Sequence, residues 1–171
     1  MDEDAKKAGM NPSGVAPVVS WVISADTEAE LAFLTGVFGG TERPGSRIMN
    51  GSMVNHVEIE ISGGSLMLFD APPEWPATPA HTRVYVRDLA TTVDAARERG
   101  ARIVTEPTEM PFGDTIARFR DPQGHLWWVH EHVEEVGGDE MMRRFADPEY
   151  VKAMDYVMAT LADEMAGPEA S

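Results

Sequence analysis

The 171-residue sequence contains no cysteine. It therefore has no disulfide framework, no thiolate metal ligand and no cysteine nucleophile, which suits a reducing cytoplasm. Basic residues are also scarce, because 14 Lys and Arg stand against 29 Asp and Glu and the net charge is −15. Such a charge repels phosphate backbones and anionic lipid, so we expect neither nucleic acid nor a membrane as a partner.

Long apolar runs are absent as well. No run approaches the roughly 20 residues that a membrane-spanning helix needs, and the acidic N-terminal segment does not resemble a signal peptide. We therefore expect a cytoplasmic protein. Hydrophobic residues make up 43% and charged residues 25% of the chain, as in a globular protein of one domain.

The predicted elements follow the order βαβββ twice. After a polar segment at 1–16, which we interpret as a mobile tail, a first module at 17–71 begins with an apolar strand and a helix capped by Asp26. A second module at 80–136 begins with a strand at His81 and a helix capped by Asp88. A shift of 62 residues superposes the two caps. The sequence thus predicts an α+β fold of two repeated modules.

The C-terminal extension, 137–171, has helical character with a break at Asp147-Pro148. Apolar residues at helical spacing predict one buried stripe, against the core or a second copy of the chain. This stripe consists of Val151, Met154, Met158, Leu161 and Met165.

Three local patterns resemble a known superfamily. They are Leu-Ala-Phe-Leu-Thr-Gly-Val-Phe-Gly at 31–39, His-Thr-Arg-Val-Tyr-Val-Arg-Asp-Leu at 81–89 and Asp-Pro-Gln-Gly-His-Leu-Trp-Trp at 121–128. In this order they resemble the vicinal oxygen chelate superfamily of glyoxalases, bleomycin resistance proteins and extradiol dioxygenases, and the chain's ending is similar to its PhnB-like branch. The resemblance implies that each module curls into a half-barrel cup. It also implies paired modules that enclose a cavity, and a homodimer with shared clefts.

The resemblance further implies a divalent metal held by the first and last strands of each module. Carried over residue by residue, those positions fall on Val19, His81 and Trp128, and the strand at 66–69 offers no ligand before Asp70. Of Val19, His81 and Trp128, only His81 has a side chain that can bind a metal, whereas catalytic metal sites need about three protein ligands. We therefore predict no metal and no other cofactor. A divalent metal remains the alternative, in a rearranged site that recruits His56, Glu58, His81 or His130. A second arrangement would use His130 and His132, which share one side of their strand, with Glu58 or Glu60.

Aromatic and polar side chains expected to face the cup form the candidate ligand site. Large aromatic rings offer stacking faces to planar ligands, although plain core packing is an equal explanation for them. His81 is also the candidate catalytic residue because histidine exchanges protons near neutral pH. Arg83 shares its face by strand alternation, and the face of Arg118 stays open. The full set is Trp21, Met67, Phe69, His81, Arg83, Arg118, Trp128 and His130.

These observations leave three functional interpretations. The leading one is a metal-independent, dimeric protein that binds a small molecule, such as an antibiotic or a planar aromatic ligand, with an acidic surface that attracts cationic drugs. The alternative is a lyase, isomerase or dioxygenase with a rearranged metal site at His81, or a metal-free catalyst using His81 with Arg83. The third is an interaction protein whose C-terminal helix fills the cup. Whether the chain is an enzyme therefore stays open.

Overall fold

The computed structural model describes residues 16–167, so almost all of the predicted tail lies outside the described residues. The first module comprises β1 (Ser20–Ser24), α1 (Thr27–Phe38), β2 (Thr41–Glu42), β3 (Ile48–Asn50), β4 (Met53–Ile61) and β5 (Gly64–Asp70). The second comprises β6 (His81–Tyr85), α2 (Leu89–Glu98), β7 (Arg102–Glu109), β8 (Asp114–Arg120) and β9 (Leu126–His132). Helices α3 (Gly138–Phe145) and α4 (Pro148–Ala166) follow.

Each module forms one sheet, and the two sheets share a topology. Sheet 1 has the order β1-β5-β4-β2, with β3 also paired to β4, and sheet 2 has the order β6-β9-β8-β7. The first strand of each module lies parallel to the last one, and the other pairings are antiparallel. The predicted α+β duplication is confirmed, with β2 as a short strand that the sequence pattern did not indicate.

The helix that follows the first strand begins in the same way in both modules. The Asp26 carboxylate accepts a hydrogen bond from the Ala29 N–H at 2.9 Å, and Asp88 accepts one from the Thr91 N–H at 2.9 Å. Each cap thereby satisfies one of the free N–H groups of a first turn. The two predicted caps are confirmed as equivalent features of the repeat.

The core lies on the inner faces of the sheets, where both helices pack. A continuous cluster joins buried residues of both modules, such as Val22 and Leu68 from sheet 1 and Val129 from sheet 2. Phe33 of α1 contacts Phe119 of sheet 2 with ring centroids 6.1 Å apart. Because the side chains on the inner faces are buried in this core, the outer faces of the sheets are the ones available to bind a ligand.

The turn between β8 and β9 ties the two modules together. Asp121 accepts hydrogen bonds from the N–H groups of Gln123 and His125 and from the Trp127 indole. The Ala80 N–H donates to His125 Nδ1, so Nε2 carries the proton and donates to the Ser24 hydroxyl of β1 at 3.0 Å. The turn motif singled out in the sequence therefore has a structural role at the junction.

The C-terminal extension forms two helices, and the predicted break at Asp147 is confirmed. The predicted stripe on α4 is confirmed only in part, since Met154 packs on the buried cluster of Met110, Ile116 and Val157. Val157 is the buried residue of this helix, at 4% exposure, whereas Met158 and Met165 are 63% and 49% exposed. Among residues 16–167, no helix has both the length and the apolar character required to cross a membrane.

Candidate ligand-binding faces

The outer face of sheet 2 carries polar and aromatic side chains in rows across its strands. Strand alternation brings every second residue of β6, β9 and β8 to this face. One row runs from Arg83 through Trp128 to Arg118, and the next runs from Tyr85 through His130 to Ile116. The register therefore brings Arg83, Arg118, Trp128 and His130, predicted from distant parts of the sequence, onto one surface.

A buried carboxylate organises one end of this face. Asp114 Oδ2 accepts hydrogen bonds from His130 Nδ1 at 3.0 Å and from the Tyr85 hydroxyl at 3.1 Å. Asp114 Oδ1 accepts one from His132 Nδ1 at 2.8 Å. Because the carboxylate fixes the proton on Nδ1 of His130, the Nε2 of the neutral ring is the atom that could accept a proton.

The pKa values of this cluster reflect burial and the shared carboxylate. Burial would raise the pKa of Asp114, but the hydrogen bonds from His130, His132 and Tyr85 outweigh it and hold the pKa below its ordinary value. Burial lowers the pKa of His130, although Asp114 opposes this. The Asp114 hydrogen bond raises the pKa of the exposed His132. His130 therefore stays neutral at physiological pH, as an acid–base group or a hydrogen-bond acceptor requires.

Helix α4 covers the β7–β8 side of the same face. Arg118 Nη1 donates to the Val157 carbonyl at 2.8 Å, and the Thr105 and Thr160 hydroxyls lie 2.8 Å apart. Glu164 forms an ion pair with Arg120 and lies 2.8 Å from Arg102. The β6–β9 side stays open, since Tyr85 is 45% exposed. Helix α4 therefore covers only part of the outer face of sheet 2, the surface that corresponds to the predicted cup.

A groove runs along the free edge of β6. Its volume is about 430 Å³, and it is lined by β6 itself, by the start of β1 and by the turn between β4 and β5. The lining includes His81, Arg83 and Tyr85 from the outer face of sheet 2, and Ser20 and Leu66 from sheet 1. The predicted His81 and Arg83 therefore border a space large enough for a small organic molecule.

The outer face of sheet 1 carries a separate aromatic cluster. The Trp21 ring lies 5.3 Å from Phe69 and 5.5 Å from His56, both in edge contacts. Phe69 also meets Trp75 at 6.1 Å, and Met67 lies beside Trp21 in the register. Within one chain, the predicted Trp21, Met67 and Phe69 thus belong to a different surface from the predicted residues of sheet 2.

The residues present do not fit the metal site that the resemblance implies. Valine and tryptophan at positions 19 and 128 offer no metal-ligating oxygen or imidazole donor. Two further candidates have other partners. Asp70 accepts hydrogen bonds from the N–H groups of Thr27 and Val54, and Glu58 pairs with Arg43 at 2.9 Å. Within residues 16–167, no group of three or more His, Asp or Glu side chains has an arrangement that could hold a metal ion.

Sequence reasoning missed Tyr85 and Asp114. Tyr85 could have been found, because the alternation that places His81 and Arg83 on one face places Tyr85 there as well. Asp114 lies opposite His132 in the β8–β9 pair. The role of Asp114 as an acceptor for both histidines follows only from that register. The spacing of His130 and His132 in the sequence does not reveal which residue of β8 lies opposite them. These two histidines, considered above as metal ligands with Glu58 or Glu60, instead share the Asp114 carboxylate.

Comparison with known sequences identifies one family and several relatives. The profile of the Glyoxalase/Bleomycin resistance protein/Dioxygenase superfamily matches residues 15–129. An uncharacterized protein of Mycobacterium bovis is 28% identical over 139 residues, which cover 74% of this chain and 91% of that protein. An uncharacterized protein of Mycobacterium tuberculosis is also 28% identical over 139 residues, which cover 74% of this chain and 81% of that protein.

Solved structures share the fold. TioX from Micromonospora sp. ML1 is 23% identical with a TM-score of 0.56, and the match covers 67% of this chain and 98% of TioX. The fosfomycin resistance protein FosX from Listeria monocytogenes is 17% identical with a TM-score of 0.54. The match covers 79% of this chain and 99% of FosX. That FosX structure holds Mn(II) and a dihydroxypropylphosphonic acid.

Proposed function

Because the chain belongs to the glyoxalase/bleomycin resistance protein/dioxygenase superfamily, we propose that it binds a small organic molecule on the outer face of sheet 2 without a metal. The observation that carries this proposal is the pairing of Arg83 with Trp128 beside the exposed Tyr85, with Arg83 and Tyr85 lining the groove of about 430 Å³. Aromatic surface with a few fixed polar groups is typical of small-molecule sites. Sequestration of an antibiotic or planar aromatic compound would suffice as a function.

A homodimer would complete this site. The aromatic cluster of sheet 1 exposes Trp21 to 46% and Trp75 to 49%, which is unusual for a surface without a partner. We propose that this cluster from one copy faces the outer face of sheet 2 of another, so that Trp21 and Trp128 line one cleft. Sedimentation velocity tests this arrangement, and a monomer at micromolar concentration that still binds ligand would contradict it.

The experiment for the proposed function is a ligand screen followed by metal analysis. Untagged protein is screened against planar aromatic compounds by tryptophan fluorescence, and hits are repeated after incubation with Zn, Ni, Mn or Fe(II) and with chelator. Chelator-insensitive binding that Trp128→Ala weakens by about 1 to 3 kcal/mol supports the proposal. Near-stoichiometric metal, or binding that needs the metal, contradicts metal independence.

The Asp114–His130 pair favours one version of the enzyme alternative. A histidine held on Nδ1 by a buried carboxylate is the usual arrangement of a general base. The His130 ring contacts Tyr85, which lines the groove together with His81 and Arg83. A metal-free lyase or isomerase would then use His130 or His81 to move a proton. Turnover of a hit from the ligand screen, lost in both His130→Gln and His81→Gln, would favour this alternative over simple binding.

A further inference from the structure

We propose that the outer face of sheet 2 recognises an anionic group, a carboxylate or phosphonate, on its small-molecule ligand through Arg118, Trp128 and Arg83. This inference rests on the proposed binding function and names the chemical class of its ligand. It runs against the net charge of the chain, which predicts a preference for cations. The argument depends on the hydrogen-bond partners of three side chains.

Arg118 is a buried charge without an acidic partner. Its side chain is 3% exposed, and Nη1 donates only to neutral acceptors, the Val157 carbonyl and the Thr105 hydroxyl. Its Nε is buried without an acceptor among the described residues. Acids are abundant in the sequence, and Glu164 pairs with Arg120 on this same face. A buried guanidinium that neither this glutamate nor another described acid neutralises is unfavourable unless something else supplies the negative charge.

Trp128 adds a second donor at the same place. The Arg118 guanidinium stacks on the indole with its carbon 4.0 Å from the ring centroid. The indole Nε1–H is also buried without an acceptor. Buried N–H groups almost always find a partner, so two orphaned donors on stacked side chains indicate an acceptor that is supplied from outside the chain.

Arg83 lies on the other side of Trp128 and is open to solvent. It pairs with Trp128 in the β6–β9 register, and its guanidinium lies 5.4 Å from the Tyr85 ring centroid. None of the ion pairs of residues 16–167 includes it. Helix α4 closes the side next to Arg118, so a ligand would enter from the β6 groove. An anion between the two guanidiniums would meet both charges and the indole N–H.

The test compares two probes that share a ring system and differ in charge. Full-length protein is titrated with 1-naphthoate and with neutral 1-naphthalenemethanol by isothermal titration calorimetry. We expect naphthoate to bind about tenfold more tightly, because charge-assisted hydrogen bonds are about twice as strong as neutral ones. Arg118→Met should abolish this preference, and Arg143→Met, which removes an exposed arginine of α3, should leave it unchanged.

Two further variants guard against displacement of α4 in Arg118→Met. Trp128→Phe keeps a smaller aromatic ring and removes the N–H, and Arg83→Met changes an exposed position. Each should weaken naphthoate several-fold and weaken the neutral probe less. Unchanged naphthoate affinity in all three variants overturns the inference. Equal binding of both probes to the unmodified protein overturns it while supporting the binding function. If neither probe binds at millimolar concentration, the inference fails, and the ligand screen decides the binding function separately.

Discussion

Glu30 is a buried acid that we expect to limit the stability of the protein at neutral and alkaline pH. Its side chain on α1 is fully buried, and neither carboxyl oxygen accepts a hydrogen bond from a described group. The neighbouring Asp121 accepts three N–H bonds. Burial, and then repulsion by Asp121, raises the pKa of Glu30 from 4.5 to about 9. The proton therefore resides on Glu30, whose O–H donates a hydrogen bond to the Asp121 carboxylate.

The size of the effect follows from proton linkage. Between pH 4.5 and about 9, the folded protein holds one proton more than the unfolded chain, so the free energy of unfolding falls as pH rises. The free energy of unfolding falls by about 1.4 kcal/mol per pH unit, and pH 7 lies about 2.5 units above the ordinary pKa of a glutamate carboxyl. Glu30→Gln keeps the shape and a donor for Asp121 but cannot ionise. At each pH, the free energy of unfolding of the unmodified protein is subtracted from that of Glu30→Gln. We expect this difference to be about 3 kcal/mol larger at pH 7 than at pH 4.5.

Urea unfolding followed by tryptophan fluorescence measures this difference. Both proteins are unfolded at about pH 5, 6, 7 and 8, and the advantage of Glu30→Gln should grow at each step. Glu98→Gln at the exposed end of α2 is the control and should show no such trend. A difference that stays constant over this pH range would refute the reasoning, because it would mean that Glu30 is already ionised in the folded protein.

Two other predictions concern the neighbourhood of β8. Asp114→Asn removes the carboxylate that raises the pKa of His132, so this pKa should fall in an NMR titration of the imidazole protons. An unchanged value would mean that the two side chains do not meet in solution. Gly113→Ala should cost about 2 to 4 kcal/mol in urea unfolding, since φ is +89° and a Cβ would lie 2.1 Å from the Glu134 carbonyl oxygen. Gly124→Ala has a similar φ of +94° but open space, so about 1 kcal/mol is expected. Equal losses would contradict the close approach at Gly113.

Most of the fold could be predicted because its signals are local. Asp26 and Asp88 mark the two helix starts through side chains that bond three residues ahead. The turn at Asn50-Gly51 and the alternation in β4 likewise depend on neighbouring residues. Repetition of the pattern then predicted the same succession of elements along the chain in both modules.

The partners of the candidate site could not be predicted in the same way. Arg118, Trp128 and Arg83 meet because three strands pair in one register, and alternation within a single strand does not give that register. Glu30 and Asp121 lie 91 positions apart in the sequence and meet only where the two modules pack. The sequence identified candidate side chains but not their neighbours.

The buried side of α4 shows why hydrophobic spacing was only partly successful there. The surface under this helix is mixed. Met110 and Ile116 form an apolar cluster with Val157, whereas Thr105, Arg118 and Arg120 on β7 and β8 are polar. The helix therefore turns Thr160 and Glu164 as well as Met154 toward the sheet, and it leaves Met158 and Met165 in solvent. A hydrophobic stripe predicts a contact with an apolar surface, and only part of this surface is apolar.

Net charge and the buried groups of sheet 2 lead to different expectations about the charge of the ligand. The value of −15 describes the average surface, whereas recognition depends on the few groups that are desolvated in the site. If Arg118 served only to dock α4, an apolar side chain against Val157 would do so without burying a charge. A positive charge kept there, beside an indole N–H that also lacks an acceptor, is better explained by an anion that both groups bind.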